Sequence, residues 1–535
     1  MNSNASGGVG VAGTYRYPGI VKSLRAVAPW LAFCAVMTAG ALVFWLFDAL
    51  PFQDLPAHAG LIALRHRFAA SPFEQRFFVL APHLGPYSLF RALGEAFLPL
   101  LGPIGSVRAI ATLPIVATPL ALFWARYRLY GDRTITAAYF GLSLSFGFMT
   151  VLGFASYLTG VAALIVGLTA WLELLAAVDA NDGRAGRREL AVACFAPLLF
   201  VAHGHAFAIF IALAGVCAVA AGRRWARIIR LRALGPALLL ASWTAWTERA
   251  SAIPAGSALA PNPPLQPHFQ SAYDKLSLLV TPTLMTRTGL DVAVGVAVWA
   301  ILLACVVATA RAPPTERTRR ETVVHARALL ACVAFLFAAF LVLPHSIGWF
   351  GFVDGRLVLV LLLVAVMAVR RDALGRRLTW LFDRCAPAAA CALTVIALVA
   401  SWLFQSEARG WREVLASVPA ETRLLNLPID PNSRIFTGHP FVHYDKLVLA
   451  DRPVVVSDIW FHQGSALYPT PANPALALPA SYSESDLRTI DWPAYRLKDW
   501  DYVLMRTRPE SAQPQVPGAL LLAAHEGGWW LFRRQ

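Results

Sequence analysis

Charged residues are scarce in this chain. They make up 14% of it, where soluble domains carry about 25%. That shortage excludes an ordinary water-soluble globular protein. Acids are the scarcer sign, with 31 Asp and Glu against 46 Lys and Arg and a net charge of +15. The basic residues sit in short clusters between apolar runs and form no single basic face. This excludes a nucleic-acid partner and fits loops retained on the cytoplasmic side of a membrane. No Cys-x-x-Cys pair occurs. All seven cysteines (Cys34, Cys194, Cys217, Cys305, Cys332, Cys385 and Cys391) lie in or beside apolar runs, which excludes a disulfide framework and a zinc site. A strong internal repeat is also missing.

Long apolar runs are abundant instead. The chain is 57% hydrophobic with a mean hydropathy of +0.56. Runs of membrane-spanning length recur along most of it. They predict about 11 transmembrane helices, near Pro29–Phe47, Val107–Trp124, Thr134–Val151, Tyr157–Ala177, Leu190–Val201, Phe207–Ala221, Leu234–Trp246, Leu290–Ala310, Ala326–Leu343, Leu357–Val369 and Ala386–Phe404. Every second connection is arginine-rich, as in ARYRLYGDR, NDGRAGRRE and RRWARIIRLR. That alternation predicts a cytoplasmic N-terminal tail (1–28), a helical bundle (29–404) and an outer, periplasmic C-terminus.

Segment 49–106, the first outer loop, is too long for a linker. LPAHAGLIALRHRFAA and GPYSLFRALGEAFLPLL within it show helical spacing and read as two amphipathic helices on the membrane surface. After residue 404 the chain turns polar and proline-rich. RLLNLPI, PVVVSD and DYVLMR read as strands, and ALLLAAHEGGWWLFRR as a hairpin, so 405–535 is expected to be a small α/β domain outside the membrane.

This topology gathers the unusual polar residues on the outer side. Asp54 and His58 begin the first loop, in PFQDLPAHAG. His203 and His205 flank a helix break in VAHGHAF. His345 ends one helix in LPHSIGWF, Asp354 and Arg356 start the next in FVDGR, and Lys275 follows Tyr273 and Asp274 in an outer loop. Ionisable groups at membrane depth are costly and mark functional sites. Asp54 before Leu55-Pro56 also suits a helix N-cap. A cap does not account for His58 one turn on, where a carboxylate and an imidazole can share a proton or join a divalent metal. Asp354 with Arg356 reads either as a boundary ion pair or as an arginine presented to phosphate. His83, His439, His443 and His462 read as ordinary polar surface positions, and Glu173 as a residue reaching the cytoplasmic interface.

FQDLPAHAG after the first helix, with GFASYLTGVAALIVGL, VAHGHAFAIF and GFVDGRLVLVLLL, resembles the type C integral membrane glycosyltransferases, in their unassigned bacterial branch. The resemblance implies an inner-membrane enzyme that moves a sugar from a polyprenyl-phosphate donor to an acceptor lipid, glycan or protein. It places Asp54 as the general base on an acceptor hydroxyl, with His58 orienting it or joining a metal. It also makes Arg356 the first phosphate-binding candidate, followed by His203, His205, Lys275 and Asp354. Many members carry two adjacent acids in the first loop, where this chain has Gln53-Asp54-Leu55. The alternative is a lipid or solute transporter, or a catalytically decayed membrane scaffold. Transporters place polar groups at broken helices near the midplane within inverted repeats, whereas here the polar groups cluster at one end.

Overall fold

A computed structural model of the chain describes residues 18–80, 84–220, 224–250, 266–280, 283–313, 320–348, 350–459, 467–479, 481–485, 487 and 490–535. The apolar runs are almost entirely helical: α1 (Pro18–Leu42), α2 (Leu55–Arg67), α3 (Ser88–Tyr130), α4 (Thr136–Ser145), α5 (Ala155–Asp179), α6 (Ala185–Ala202), α7 (Gly204–Ala220), α8 (Gly235–Ala250), α9 (Ala272–Val280), α10 (Leu290–Arg311), α11 (Arg320–Val342), α12 (Gly355–Ala368) and α13 (Arg376–Ala408).

Among the described residues, six helices are long and apolar enough to cross a membrane: Ser88–Tyr130, Ala155–Asp179, Trp225–Thr247, Leu290–Arg311, Val323–Val342 and Arg376–Ala408. Val27–Leu42, Gly204–Ala220 and Gly355–Ala368 are apolar but shorter. The expected count of about eleven is therefore reached in six by length. A span needs about 20 residues, and α4 has 10 and α12 has 14. α12 buries nearly every side chain along its length, so its unbroken Leu/Val run reflects protein on all sides.

α3 joins two of the expected helices, one in the first loop and one spanning. They meet at Gly102, whose φ of 67° is non-helical, beside Pro103. α2 departs from the expected surface helix. Leu55 to Ala57 and Ala59 to Leu64 are all buried, because LPAHAGLIAL offers apolar atoms around most of its circumference and the C-terminal part of the chain covers it.

That C-terminal part follows α13, which runs through the expected boundary at 404/405. Its strands match the sequence reading: β2 (Thr422–Pro428), β3 (Val454–Val456), β5 (Tyr502–Arg506), β6 (Leu520–Glu526) and β7 (Trp529–Arg534) form one sheet in the order β3-β2-β5-β7-β6. β2 is parallel to β3 and β5, whereas β7 is antiparallel to β5 and β6. Inner strand β2 buries Leu424 to Pro428 without alternation, as a strand covered on both faces does.

The sheet region is fastened to the first loop. β1 (Phe78–Leu80) pairs antiparallel with β4 (Leu467–Pro469). The Gln405 side-chain amide bonds both backbone groups of Ala49, at 2.9 and 2.8 Å. Tyr444 donates to the Leu50 carbonyl at 3.0 Å, and Arg67 to the Leu449 carbonyl at 2.5 Å. Gly60 permits this approach, since a Cβ there would lie 2.6 Å from the Lys446 carbonyl oxygen.

Candidate active site

Asp54 stands at the N-cap of α2 with Pro56 in the first turn, yet its side chain makes no capping hydrogen bond. The carboxylate is thus free of the capping duty the sequence offered it. Its backbone is pinned by a neighbouring turn. Gln53 N–H donates to the Val151 carbonyl at 3.0 Å, and Asp54 N–H to the Leu152 carbonyl at 3.1 Å. Gly153 closes that turn at φ +79°, and a Cβ there would lie 2.7 Å from Asp54 N. Glycine meets both demands at once.

His58 sits one turn along α2, its ring 4.5 Å from that of Phe90 between centroids. Burial drives its imidazole down to about 4, against the pull of Asp54 and with the help of His443. His58 is therefore neutral at pH 7.

The other neighbour of Asp54 comes from far along the chain. His443 Nε2 lies 3.5 Å from Asp54 Oδ1, and its Nδ1 lies 3.1 Å from Glu484 Oε2. Lys446 also pairs with Glu484 and stands 3.1 Å from Asp445. All four of these C-terminal side chains are buried. Burial and Lys446 work against a charge on His443, but bonding to Asp54 and Glu484 outweighs them and pushes its pKa up to about 9. Burial would likewise raise Glu484, but Lys446 and His443 hold it at about 2. Asp54 thus stands between a neutral imidazole and an imidazolium. This corrects the reading of His443 as a surface histidine. The available signal was FVHYDKLV, where His, Asp and Lys fall within four positions of an otherwise apolar run. His439 is half-buried and bonds Asn432 at 2.9 Å, and His83 and His462 lie outside the described residues.

A second group faces this one. Arg356 opens α12 with 6% exposure. Its guanidinium carbon sits 4.3 Å from the ring centre of Phe350, 4.8 Å from Phe154 and 5.7 Å from Tyr157. Tyr87 and Asp54 are near enough to interact with it electrostatically. Nε and Nη1 are buried with no hydrogen-bond partner among the described residues. His203 is buried edge-on to Tyr87 and Tyr157, at 5.0 and 5.2 Å, and His205 stacks on Phe350 at 5.6 Å. Tyr87 and Phe352 hold positive φ, 69° and 58°, a strain that clusters at functional sites.

Asp54, His58, Arg356, His203 and His205 are therefore brought to one neighbourhood, together with Tyr87, Tyr157 and His443, which sequence reasoning did not select. Asp354 and Lys275 have a different job. Asp354 does not pair with Arg356 among the described residues; it accepts from Gly355 N–H at 2.7 Å and meets His345 at 2.9 Å and Lys275 at 3.3 Å. Lys275 also donates to the Phe340 carbonyl at 2.8 Å and to those of Leu341 and Leu343, at the C-terminal end of α11. The Asp354–Arg356 ion pair read from the sequence is thus replaced by Asp354–Lys275, and both groups face helix ends. Glu173 pairs with Arg128 at 2.6 Å. Among the described residues, no group of three or more His, Cys, Asp or Glu side chains could hold a metal ion.

No protein-family model matches the sequence, and no curated protein does. Among solved structures, a mutant form of the arabinofuranosyltransferase AftD from Mycobacteria is similar over 95% of this chain and 41% of its own, at 16% identity and a TM-score of 0.50. Another AftD structure matches over 96% of this chain and 40% of its own, at 16% identity and a TM-score of 0.49. The oligosaccharyltransferase of Archaeoglobus fulgidus, tethered to an acceptor peptide, covers 91% of this chain and 70% of its own, at 13% identity and a TM-score of 0.48. This chain spans about two fifths of the length of the AftD chains. The likeness at 0.50 is one of fold alone, and it extends over most of this chain.

Proposed function

We propose that the chain is a membrane glycosyltransferase that moves a sugar from a polyprenyl-phosphate donor to an envelope acceptor. The observation that carries this reading is Arg356. Its guanidinium is buried in an aromatic box, with two nitrogens lacking hydrogen-bond partners among the described residues, within the electrostatic reach of Asp54. A buried cation with unused donors is matched to an anion that arrives with a ligand. A carboxylate and an arginine so placed serve the two ends of one displacement.

The acceptor hydroxyl attacks the anomeric carbon and its proton passes to Asp54. The bond between the anomeric carbon and the phosphate oxygen breaks, and the lipid phosphate leaves with the electron pair. The new glycosidic bond has inverted configuration. Arg356 and the Tyr87 hydroxyl stabilise the charge that grows on the departing phosphate, and His203 and His205 line the same space. The arginine-rich loops support an orientation with the N-terminus in the cytoplasm of a bacterial cell, which puts the site and the sheet region on the periplasmic side of the inner membrane.

The test is a mass-spectrometric comparison of envelope glycans and lipids from intact, deleted and Asp54→Asn strains at equal protein level. A hexose- or pentose-sized loss in both altered strains is expected. Full restoration by Asp54→Asn would remove the proposed base and favour transport or a scaffold.

A further inference from the structure

We infer that His443 is a positioning residue for Asp54: its ring, clamped between the carboxylates of Glu484 and Asp54, fixes the direction in which the first-loop acid points. The chain of contacts starts deep in the sheet. Asn426, on inner strand β2, donates its backbone N–H to Ser457 Oγ at 3.0 Å and its side-chain amide to Glu484 Oε1 at 3.3 Å. Tyr482 donates to the same oxygen at 3.1 Å and meets Ser457 Oγ at 2.8 Å. Lys446 supplies a charged bond to Oε1 as well. Glu484 is therefore held from three directions, and its Oε2 is left for His443 Nδ1 at 3.1 Å. The far nitrogen of the ring then meets Asp54 Oδ1 at 3.5 Å.

An imidazole fixed at one nitrogen presents the other along a set line. With Oδ1 drawn to that line, the carboxylate plane is set and the second oxygen is left to accept a proton. His443 is 6% exposed, so the ring has little room to swing away. Its titratable neighbours come from three elements: Asp54 and His58 on the first loop, Glu484 on segment 481–485, and Lys446 and Asp445 on its own turn. The ring holds its charge up to about pH 9, so one N–H is available for each carboxylate at physiological pH. The part Asp54 plays in transfer rests on the function proposed above; its coupling to His443 does not.

Two measurements on the full-length chain test this. The first is the apparent melting midpoint in detergent from pH 6 to 10.5, for wild type, Asp54→Asn, His443→Gln and the double variant. His443 has a folded pKa above its ordinary 6.5, so its contribution is complete below about 6.5 and is lost as pH rises through about 9. Wild type should show that alkaline loss. Asp54→Asn should move it down by about one pH unit, since one of two paired carboxylates is gone. His443→Gln should abolish it, and adding Asp54→Asn to His443→Gln should lower the midpoint less than it does in wild type. An alkaline transition that survives His443→Gln, or strictly additive effects, overturns the inference. Should His443→Gln fail to accumulate, an alkaline transition unmoved by Asp54→Asn overturns it equally.

The second measurement is the envelope product per folded protein. His443→Gln should lower it about tenfold or more, the scale of a displaced catalytic group. Arg423→Ala, which breaks the Arg423–Asp501 pair elsewhere in the sheet, should leave it unchanged. Equal product from His443→Gln and wild type overturns the positioning role. Product retained by Asp54→Asn would sink the transfer reading alone, because the melting cycle still decides whether His443 and Asp54 are coupled.

Discussion

Arg356→Met separates a ligand-binding arginine from a packing one. Two buried guanidinium nitrogens lack partners among the described residues, and each such group costs about 1–3 kcal/mol, together about 2–6. The rings of Phe350 and Phe154 face the guanidinium at 4.3 and 4.8 Å and return about 0.5–2 kcal/mol each. The midpoints of the two sides balance to within about 2 kcal/mol. Methionine fills a similar volume without charge. The variant should therefore melt within a few degrees of wild type, although truncating a buried side chain usually costs about 2–5 kcal/mol. A polyprenyl phosphate at about 100 times its Kd should raise the wild-type midpoint, through roughly 2.7 kcal/mol of linkage, and leave Arg356→Met unmoved. Envelope product should fall by a factor of about 100–1,000, as when a donor to developing negative charge is removed. The assay is a thermal shift in detergent with and without the lipid, alongside glycan mass spectrometry. A variant that loses several degrees yet keeps its lipid shift and its product would show Arg356 to be a strut, and the reasoning would fail.

Other outcomes follow from neighbouring features. Gly153→Ala forces a Cβ to within 2.7 Å of Asp54 N at φ +79°; it should cost about 1–3 kcal/mol and lower product beyond the loss of folded protein, as quantified against immunoblotted chain. Lys275→Ala removes the ammonium from the end of α11 and from Asp354; it should lower the melting midpoint and spare product per folded molecule. Burial raises Asp445 to about 7, with Lys446 pulling the other way and Glu484 adding to the rise. A carboxyl raised above its ordinary 3.8 costs stability as pH climbs from about 4 through about 7. Asp445→Asn should thus melt higher than wild type at pH 8 and lose that advantage by pH 4, and a pH series of melting curves checks it.

Helices and strands were legible because their signals are local. VAHGHAF breaks a helix with glycine between two histidines, and the break lies between α6 and α7. EGG turns the β6–β7 hairpin at Gly527, φ +58°. The residue pairing of the site was not legible, since it depends on which distant segments meet. Nothing within FQDLPAHAG says that Asp54 would face His443, and nothing in FVDGR says that Asp354 would take a lysine from α9 and leave Arg356 to the aromatic rings. Span length was hard to read for a related reason. Hydropathy does not distinguish lipid from protein as surroundings, so α12, wrapped on nearly all sides by other helices, reads the same as a helix in lipid.

Fastening the first loop to the sheet region also sets a timetable. Tyr444 and Leu50 are 394 positions apart. At about 5–20 residues per second, ribosomes need roughly 20–80 s to cover that distance. Throughout that interval Asp54 and the apolar faces of α2 are in the membrane or at its edge without the segment that covers them. Assembly of the site is therefore a late event in biogenesis, and a nascent chain stalled before residue 443 exposes a greasy, half-charged helix, which is the kind of surface membrane proteases and holding chaperones recognise.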